Sequence, residues 1–212
     1  GVGNTLYAVD TAGTDQLFSY NISSPNNILQ LNSISYDVVY GVFADGSYVY
    51  LAADGSGGGE SRGFYIVNAT NPGSMASAGR VNLTNAADVY VVGNTAFVAR
   101  GGSGITSVNI TNKNSPSVLQ ALSLNGTANG VFVSGNYAYI AAGNAGLITV
   151  DIANPSSMSV AGTYNTPGTA LNVYVQDNIA YVADNSSLQI IDVSNPASPL
   201  LLRSFATPYN YS

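Results

Sequence analysis

Short apolar stretches of five to seven residues, rich in Val, Ile, Tyr and Phe, recur along the chain between clusters of Asn, Gly, Pro and Ser. That alternation predicts β-strands joined by tight turns. No segment sustains an apolar period of 3.6 residues, so essentially no helix is expected.

The stretches repeat. An aromatic sits inside one of them at Tyr7, Tyr50, Phe97, Tyr139 and Tyr181, at intervals of 43, 47, 42 and 42 residues. An Asn or Asp closes another at Asn21, Asn68, Asn109, Asp151 and Asp192, at intervals of 47, 41, 42 and 41. Both markers share the long interval, which a Gly-rich insertion (Asp54-Gly55-Ser56-Gly57-Gly58-Gly59-Glu60) explains. A proline follows each second marker: Pro25, Pro72, Pro116, Pro155 and Pro196. Two independent markers with one period predict five copies of one supersecondary unit.

The last unit reads as four strands. Leu171–Val175 is strand a, Asp177-Asn178 a tight turn, Ile179–Ala183 strand b, Leu188–Val193 strand c and Leu200–Phe205 strand d. Four strands every forty-odd residues is the spacing of a propeller blade. Strand a carries Val42, Val89, Val131 and Val173 at one position and Phe43, Tyr90, Phe132 and Tyr174 at the next. Such a strand is expected to be buried on both faces at the centre of a ring. The expectation is an all-β, five-bladed propeller of four-stranded antiparallel blades, spanning about 1–35, 36–84, 85–126, 127–165 and 166–207 in one domain. The first unit starts at the turn Gly3-Asn4 and lacks strand a, while Thr207-Pro208-Tyr209-Asn210-Tyr211-Ser212 is surplus after the last strand d. This surplus is expected to close the first blade, of its own chain or of a neighbour, and so remove an open edge.

Composition narrows the chemistry. Only 8% of the 212 residues are charged, with 11 acidic against 5 basic residues and a net charge of -6. No Lys/Arg cluster is available to hold phosphates, which excludes nucleic acid as a partner. The absence of His and Cys removes Ser-His-Asp and Cys-His catalysis, imidazole or thiolate zinc sites, and disulfides. No apolar run approaches the roughly 20 residues of a membrane span. The start Gly1-Val2-Gly3-Asn4 lacks the features of a signal peptide, so a secreted origin would make this the mature form.

Two stretches carry a resemblance. Gly146-Leu147-Ile148-Thr149-Val150-Asp151-Ile152-Ala153-Asn154-Pro155 and Leu188-Gln189-Ile190-Ile191-Asp192-Val193-Ser194-Asn195-Pro196 resemble the LVIVD repeat of bacterial and archaeal surface proteins. The hairpin Val133 to Ala141 that precedes the first stretch fits as well. In the first three units Asn21, Asn68 and Asn109 replace the repeat's aspartate. The resemblance implies a β-propeller in an extracellular or cell-surface setting. It implies no activity and no cofactor.

Candidate sites follow from residue type. The repeated Asn/Asp at the end of strand c is read as an acceptor for backbone N–H groups of the turn before the proline. Asn substitutes for Asp there in three of five copies, which capping tolerates and metal ligation does not. Seven positions fit Asn-x-Ser/Thr: Asn21, Asn68, Asn82, Asn109, Asn125, Asn185 and Asn210. Asn82, Asn125 and Asn185 lie at strand ends or loops and are the better glycosylation candidates. A glycosidase needs two carboxylates about 5 to 9.5 Å apart. The column before the repeated Val reads Gly41, Asp88, Gly130 and Asn172, which supplies one acid, with Asp37 near the same rim. Asp54 and Glu60 flank the Gly-rich insertion, too few oxygens for calcium. Tyr36, Tyr40, Tyr164, Tyr209 and Tyr211 are tyrosines suited to protein or sugar contact. The residues thus read as a non-catalytic scaffold whose partners are other copies of itself, surface proteins or glycans. Assembly or closure would run through Thr207, Pro208, Tyr209, Asn210 and Tyr211.

Overall fold

The computed structural model describes residues 3–10, 16–36, 38–55 and 62–207. Nineteen strands and no helix occur among the described residues, so none of it is a helix able to cross a membrane. Blade one holds β1 (Thr5–Val9), β2 (Gln16–Asn21) and β3 (Leu29–Ser35). Blade two holds β4 (Val39–Asp45), β5 (Tyr48–Asp54), β6 (Arg62–Asn68) and β7 (Ala76–Val81). Blade three holds β8 (Asp88–Val92), β9 (Thr95–Ala99), β10 (Ile105–Asn109) and β11 (Ser117–Leu122). Blade four holds β12 (Gly130–Ser134), β13 (Tyr137–Ala141), β14 (Leu147–Asp151) and β15 (Ser159–Tyr164). Blade five holds β16 (Ala170–Gln176), β17 (Ile179–Asp184), β18 (Ser187–Asp192) and β19 (Leu200–Ala206). Each blade is a separate antiparallel meander in chain order, four of four strands and the first of three. These are the blades of a five-bladed β-propeller.

Local chemistry shapes each meander. The a–b hairpins turn on two residues. Gly46, Gly93 and Gly135 open theirs at φ 56° to 58°, whereas Asp177 and Asn178 take φ 51° and 63°. Positive φ at the first residue suits glycine and gives the type II′ twist; two positive values give type I′. Between strands c and d, every blade slips register at one place: Ser19/Tyr20, Ile66/Val67, Ser107/Val108, Thr149/Val150 and Ile190/Ile191. A β-bulge there bends the outer strand and sharpens its twist.

The core lies between blades. Four apolar clusters join blade one to two, two to three, three to four and four to five. In each, a forward face built around the strand-b aromatic meets a backward face mostly of Val, Ile, Leu and Ala. Tyr50, Ala52, Phe64 and Ile66, for example, pack on Val89, Val91, Ala96, Val98 and Val108. A single blade buries neither face, so stability comes from stacking.

Polar clamps fix the stacking. At the bulge, the hydroxyls of Ser19, Ser107 and Thr149 donate to the carbonyls of Pro72, Pro155 and Pro196 in the next blade's c–d turn. These hydroxyls are buried, and each carbonyl would lose its partner without them. On strand d opposite, Asn32 donates to the Gly73 carbonyl, and Gln120 bonds both the N–H and the carbonyl of Met158. Blade two has Ile66 in place of the hydroxyl. There Lys113 of the next blade lies 5.6 and 5.8 Å from the ring centres of Tyr48 and Tyr50, a cation–π contact across the same seam.

The inner strands differ from expectation in one respect. Val89, Val131 and Val173 are buried and Val42 half-buried, but the aromatic face of blades two to four is only half-buried throughout. Phe43, Tyr90, Phe132 and Tyr174 meet as tilted rings in an arc instead, the last pair edge to face, with centroids 4.8, 4.9 and 4.9 Å apart. Each ring is covered by its neighbour's ring and not by a full sheet.

Candidate functional site

The turn after strand c is the most regular polar feature. Oδ1 of Asn21, Asn68, Asn109, Asp151 and Asp192 accepts the N–H two residues on, at 2.8 to 3.0 Å. A second Asx bond follows at Asn71, Asn112, Asn154 and Asn195. One turn thus uses two short side chains to satisfy its own backbone, and the repeated Asn/Asp column is structural. Asp192 sits below the usual carboxylate range because the Ser194 N–H and hydroxyl bond its charged form.

Of the sequons, Asn21, Asn68 and Asn109 are thus tied to their turns through Oδ1, while Asn82, Asn125 and Asn185 are exposed. Asn210 lies outside the described residues, as do Asp37, Glu60, Pro208, Tyr209 and Tyr211. Thr207 still belongs to blade five, its N–H donating to the Ser186 carbonyl at 2.9 Å.

The starts of the inner strands converge on a cleft of about 560 Å³ at one end of the axis. Tyr40, Asp54, Asn85, Asp88, Asn129 and Asn172 line it. Asp88 is largely built into the scaffold. Its Oδ1 accepts the N–H of Val89 at 2.8 Å and its Oδ2 that of Val131 at 2.9 Å, so one carboxylate bridges blades three and four. Burial nevertheless lifts its pKa to about 6, against the pull of those two bonds.

The column Gly41, Asp88, Gly130, Asn172 has a steric cause. A Cβ on Gly41 would come 2.7 Å from the Asp88 Cα, and one on Gly130 would come 3.1 Å from the Asn172 Cα. Neighbouring inner strands touch at this level, so every second one has no side chain. Asp54, which the sequence places only beside an insertion, also reaches the cleft and pairs with Arg62 at 3.4 Å. Two acids therefore share the cleft, one bridging the backbone and one ion-paired. Among the described residues no three His, Cys, Asp or Glu side chains gather at one point.

The state of Asp88 gives a pH signature. An acid whose folded pKa exceeds its unfolded value, about 4, binds more protons when folded. Between about pH 4 and 6 stability then rises as pH falls; above pH 6 this contribution is flat. Thermal melts should show wild-type stability increasing from pH 7 to pH 5 by about 1 kcal/mol. Asp88→Asn should flatten that rise, and an unchanged pH profile in the variant would assign the titration elsewhere.

Fold and turns together define a β-propeller built from one repeat whose c–d turn is stapled by Asx bonds. LVIVD repeats match residues 84–121, 125–166 and 167–207, more than half of the chain, and the protein belongs to the LVIVD-repeat family. The matches cover blades three to five, including the unit in which Asn109 replaces the aspartate. A functionally unknown protein from Desulfotomaculum acetoxidans has a similar structure, with a TM-score of 0.75 at 13% identity. The likeness covers 96% of this chain and 67% of that one. No curated protein matches the chain.

Proposed function

We propose that this protein is a non-catalytic scaffold of a cell surface or extracellular layer, self-associating through strand exchange. One observation carries the reading: blade one has only three strands, so the inner edge of β1 has no strand a beside it among the described residues. An open edge of unpaired N–H and carbonyl groups is a template for another strand. The segment from Thr207 to Tyr211 is the strand offered, to β1 of its own chain or of a neighbour. A chain with 8% charged residues puts little repulsion in the way of association. Exposed Asn82, Asn125 and Asn185 would carry glycans that keep such a surface soluble.

The test is sedimentation and electron microscopy of the full chain beside one lacking Thr207–Ser212. The full chain is expected to form filaments or defined oligomers and the truncated chain to remain a monomer. Identical species and identical melting in both would remove the strand-exchange mechanism. A glycan-binding module is the second reading, favoured by the axial cleft, where exposed Tyr40 and Leu171 stand beside Asn85, Asn129 and Asn172. Saturable quenching of tyrosine fluorescence by oligosaccharides, lost in Tyr40→Ala, would favour it over the scaffold.

A further inference from the structure

The axial cleft continues outward over blade four. Its lining residues Asn129 and Leu171 also line a second hollow of about 470 Å³. Gly126 and Asn144 of that hollow line a third, of about 400 Å³, which reaches Asn125 and Asn165. The three adjoin as one trough that runs from the axis toward the rim across the b–c turn of blade four. Each is the size of a small-ligand pocket.

The outer hollow exists because blade four lacks a plug that blade three has. Arg100 follows β9, and its guanidinium donates to the Thr84 carbonyl and to the hydroxyls of Thr84 and Thr106. At the same repeat positions blade four has Ala142, Gly126 and Ile148, so neither the cation nor its partners are present. The two b–c turns are otherwise alike: Arg100 and Ala142 each donate to the carbonyl four residues on, at 2.7 Å. Paired bonds of 3.1 and 3.0 Å between Gly143 and Ala170 tie the turn of blade four to the linker beside it. The walls of the trough are therefore fixed before any ligand arrives.

Four asparagines along it are each held by one end of the amide and present the other. Asn129 donates through Nδ2 to the Ala170 carbonyl, and Asn85 to the Ser103 hydroxyl, which leaves two Oδ1 acceptors. Asn172 accepts the Val173 N–H through Oδ1, and Asn144 the Thr169 hydroxyl, which leaves two Nδ2 donors. The free ends have no partner among the described residues. A side chain already immobilised at one end loses little further entropy on binding at the other. The charges at the trough are Asp54 and Asp88, both at the axial end, one ion-paired and the other bridging two backbone N–H groups. Among the described residues no Lys or Arg lines any of the three hollows.

We infer that this trough binds a neutral, linear oligosaccharide. Hydroxyl groups donate and accept at once, so neighbouring pairs on a sugar match a lining that offers both amide acceptors and amide donors. Tyr40 at the axial end, 58% exposed, and Leu171 between the first two hollows, 48% exposed, give apolar surface to the C–H faces of sugar rings. An anionic chain finds no cation to pair with. A peptide strand needs the free backbone of a sheet edge, but here linker and turn pair with each other at Gly101↔Ala128 and Gly143↔Ala170. The inference rests on the glycan reading of the axial cleft, extends it across blade four, and is independent of strand exchange at β1.

Calorimetric titration tests it with neutral chains of glucose, mannose and N-acetylglucosamine, from about two to about six units, and with oligogalacturonates of the same lengths. The protein is prepared without N-glycans, because a sugar on Asn125 would start at the outer end of the trough. Affinity for at least one neutral series is expected to rise about tenfold or more from the shortest chain to the longest. The acidic chains should bind at least about tenfold more weakly. Asn144→Ala, at an exposed position, should lower affinity for the longest chain about fivefold and leave the shortest unchanged. Hydrogen exchange of the wild-type chain reads the same site without a substitution: the longest neutral chain should slow the amides of residues 125–129 and 142–146 about tenfold. Neutral chains that bind equally at every length, lose binding in Tyr40→Ala and ignore Asn144→Ala overturn the trough and leave the axial-cleft reading standing. Absence of binding by every neutral series overturns both, and acidic chains that bind as tightly overturn the neutral assignment.

Discussion

Replacing Tyr50 by alanine is expected to destabilise the protein by about 4 kcal/mol and to lower its melting temperature by roughly 8–16 °C. Tyr50 is among the largest fully buried side chains and sits at the centre of the seam between blades two and three. It stacks on Phe64 at 6.0 Å, nearly parallel, and lies under Lys113 of blade three. Alanine removes the transfer energy of the ring, the stacking partner of Phe64 and the surface on which the ammonium rests. The cavity cannot collapse easily, because rigid strands wall it on both sides. Burial already pushes the Tyr50 phenol up to about 12, so the loss should be the same at pH 6 and pH 9. A cost below about 1 kcal/mol in denaturant titrations would mean that the blades are held by their clamps and not by apolar packing.

Gly162→Val should be of similar size, for a different reason. A Cβ at Gly162 would lie 2.4 Å from the Pro196 carbonyl oxygen and 2.8 Å from the Ala197 carbonyl carbon, both backbone of the next blade. Backbone cannot swing aside as a side chain can, so blade five must move off blade four. The same Pro196 oxygen accepts the Thr149 hydroxyl, so the clamp breaks with the packing. A loss of about 3 kcal/mol or more in thermal or denaturant unfolding is expected. Thr163→Val, one residue along on an exposed position, is the matched control and should stay within about 0.5 kcal/mol of wild type. Equal behaviour of the two variants would mean that blade five does not dock as described.

The strands and their order were legible because each element obeys a local rule. Strand boundaries in the last unit fall within two residues of their predicted places, since β-branched runs end at Asn, Gly or Pro there. The Asx role of Asn21, Asn68, Asn109, Asp151 and Asp192 was legible for the same reason: the bond spans two residues. Features that depend on the neighbouring blade were not. The Ser and Thr clamps stand two residues before the caps Asn21, Asn109 and Asp151, a spacing visible in the chain, but their partner carbonyls lie some fifty residues away. The alternation of glycine with Asp88 and Asn172 could be seen as a column and not explained, because its cause is contact between strands of different blades. Asp54 was placed by its loop, although the cleft is where it ends. A repeat period counts the blades; how much of the circle they fill depends on the angle at each seam, which no period records.

Because each blade leans only on the one before and the one after, loosening has a preferred starting place. Among the described residues the first blade has three strands and an apolar cluster on one side alone, so heat, a protease or a pulling force meets its weakest resistance there. The protein should then come apart like a hand of cards released from one edge, the middle blades holding to the last.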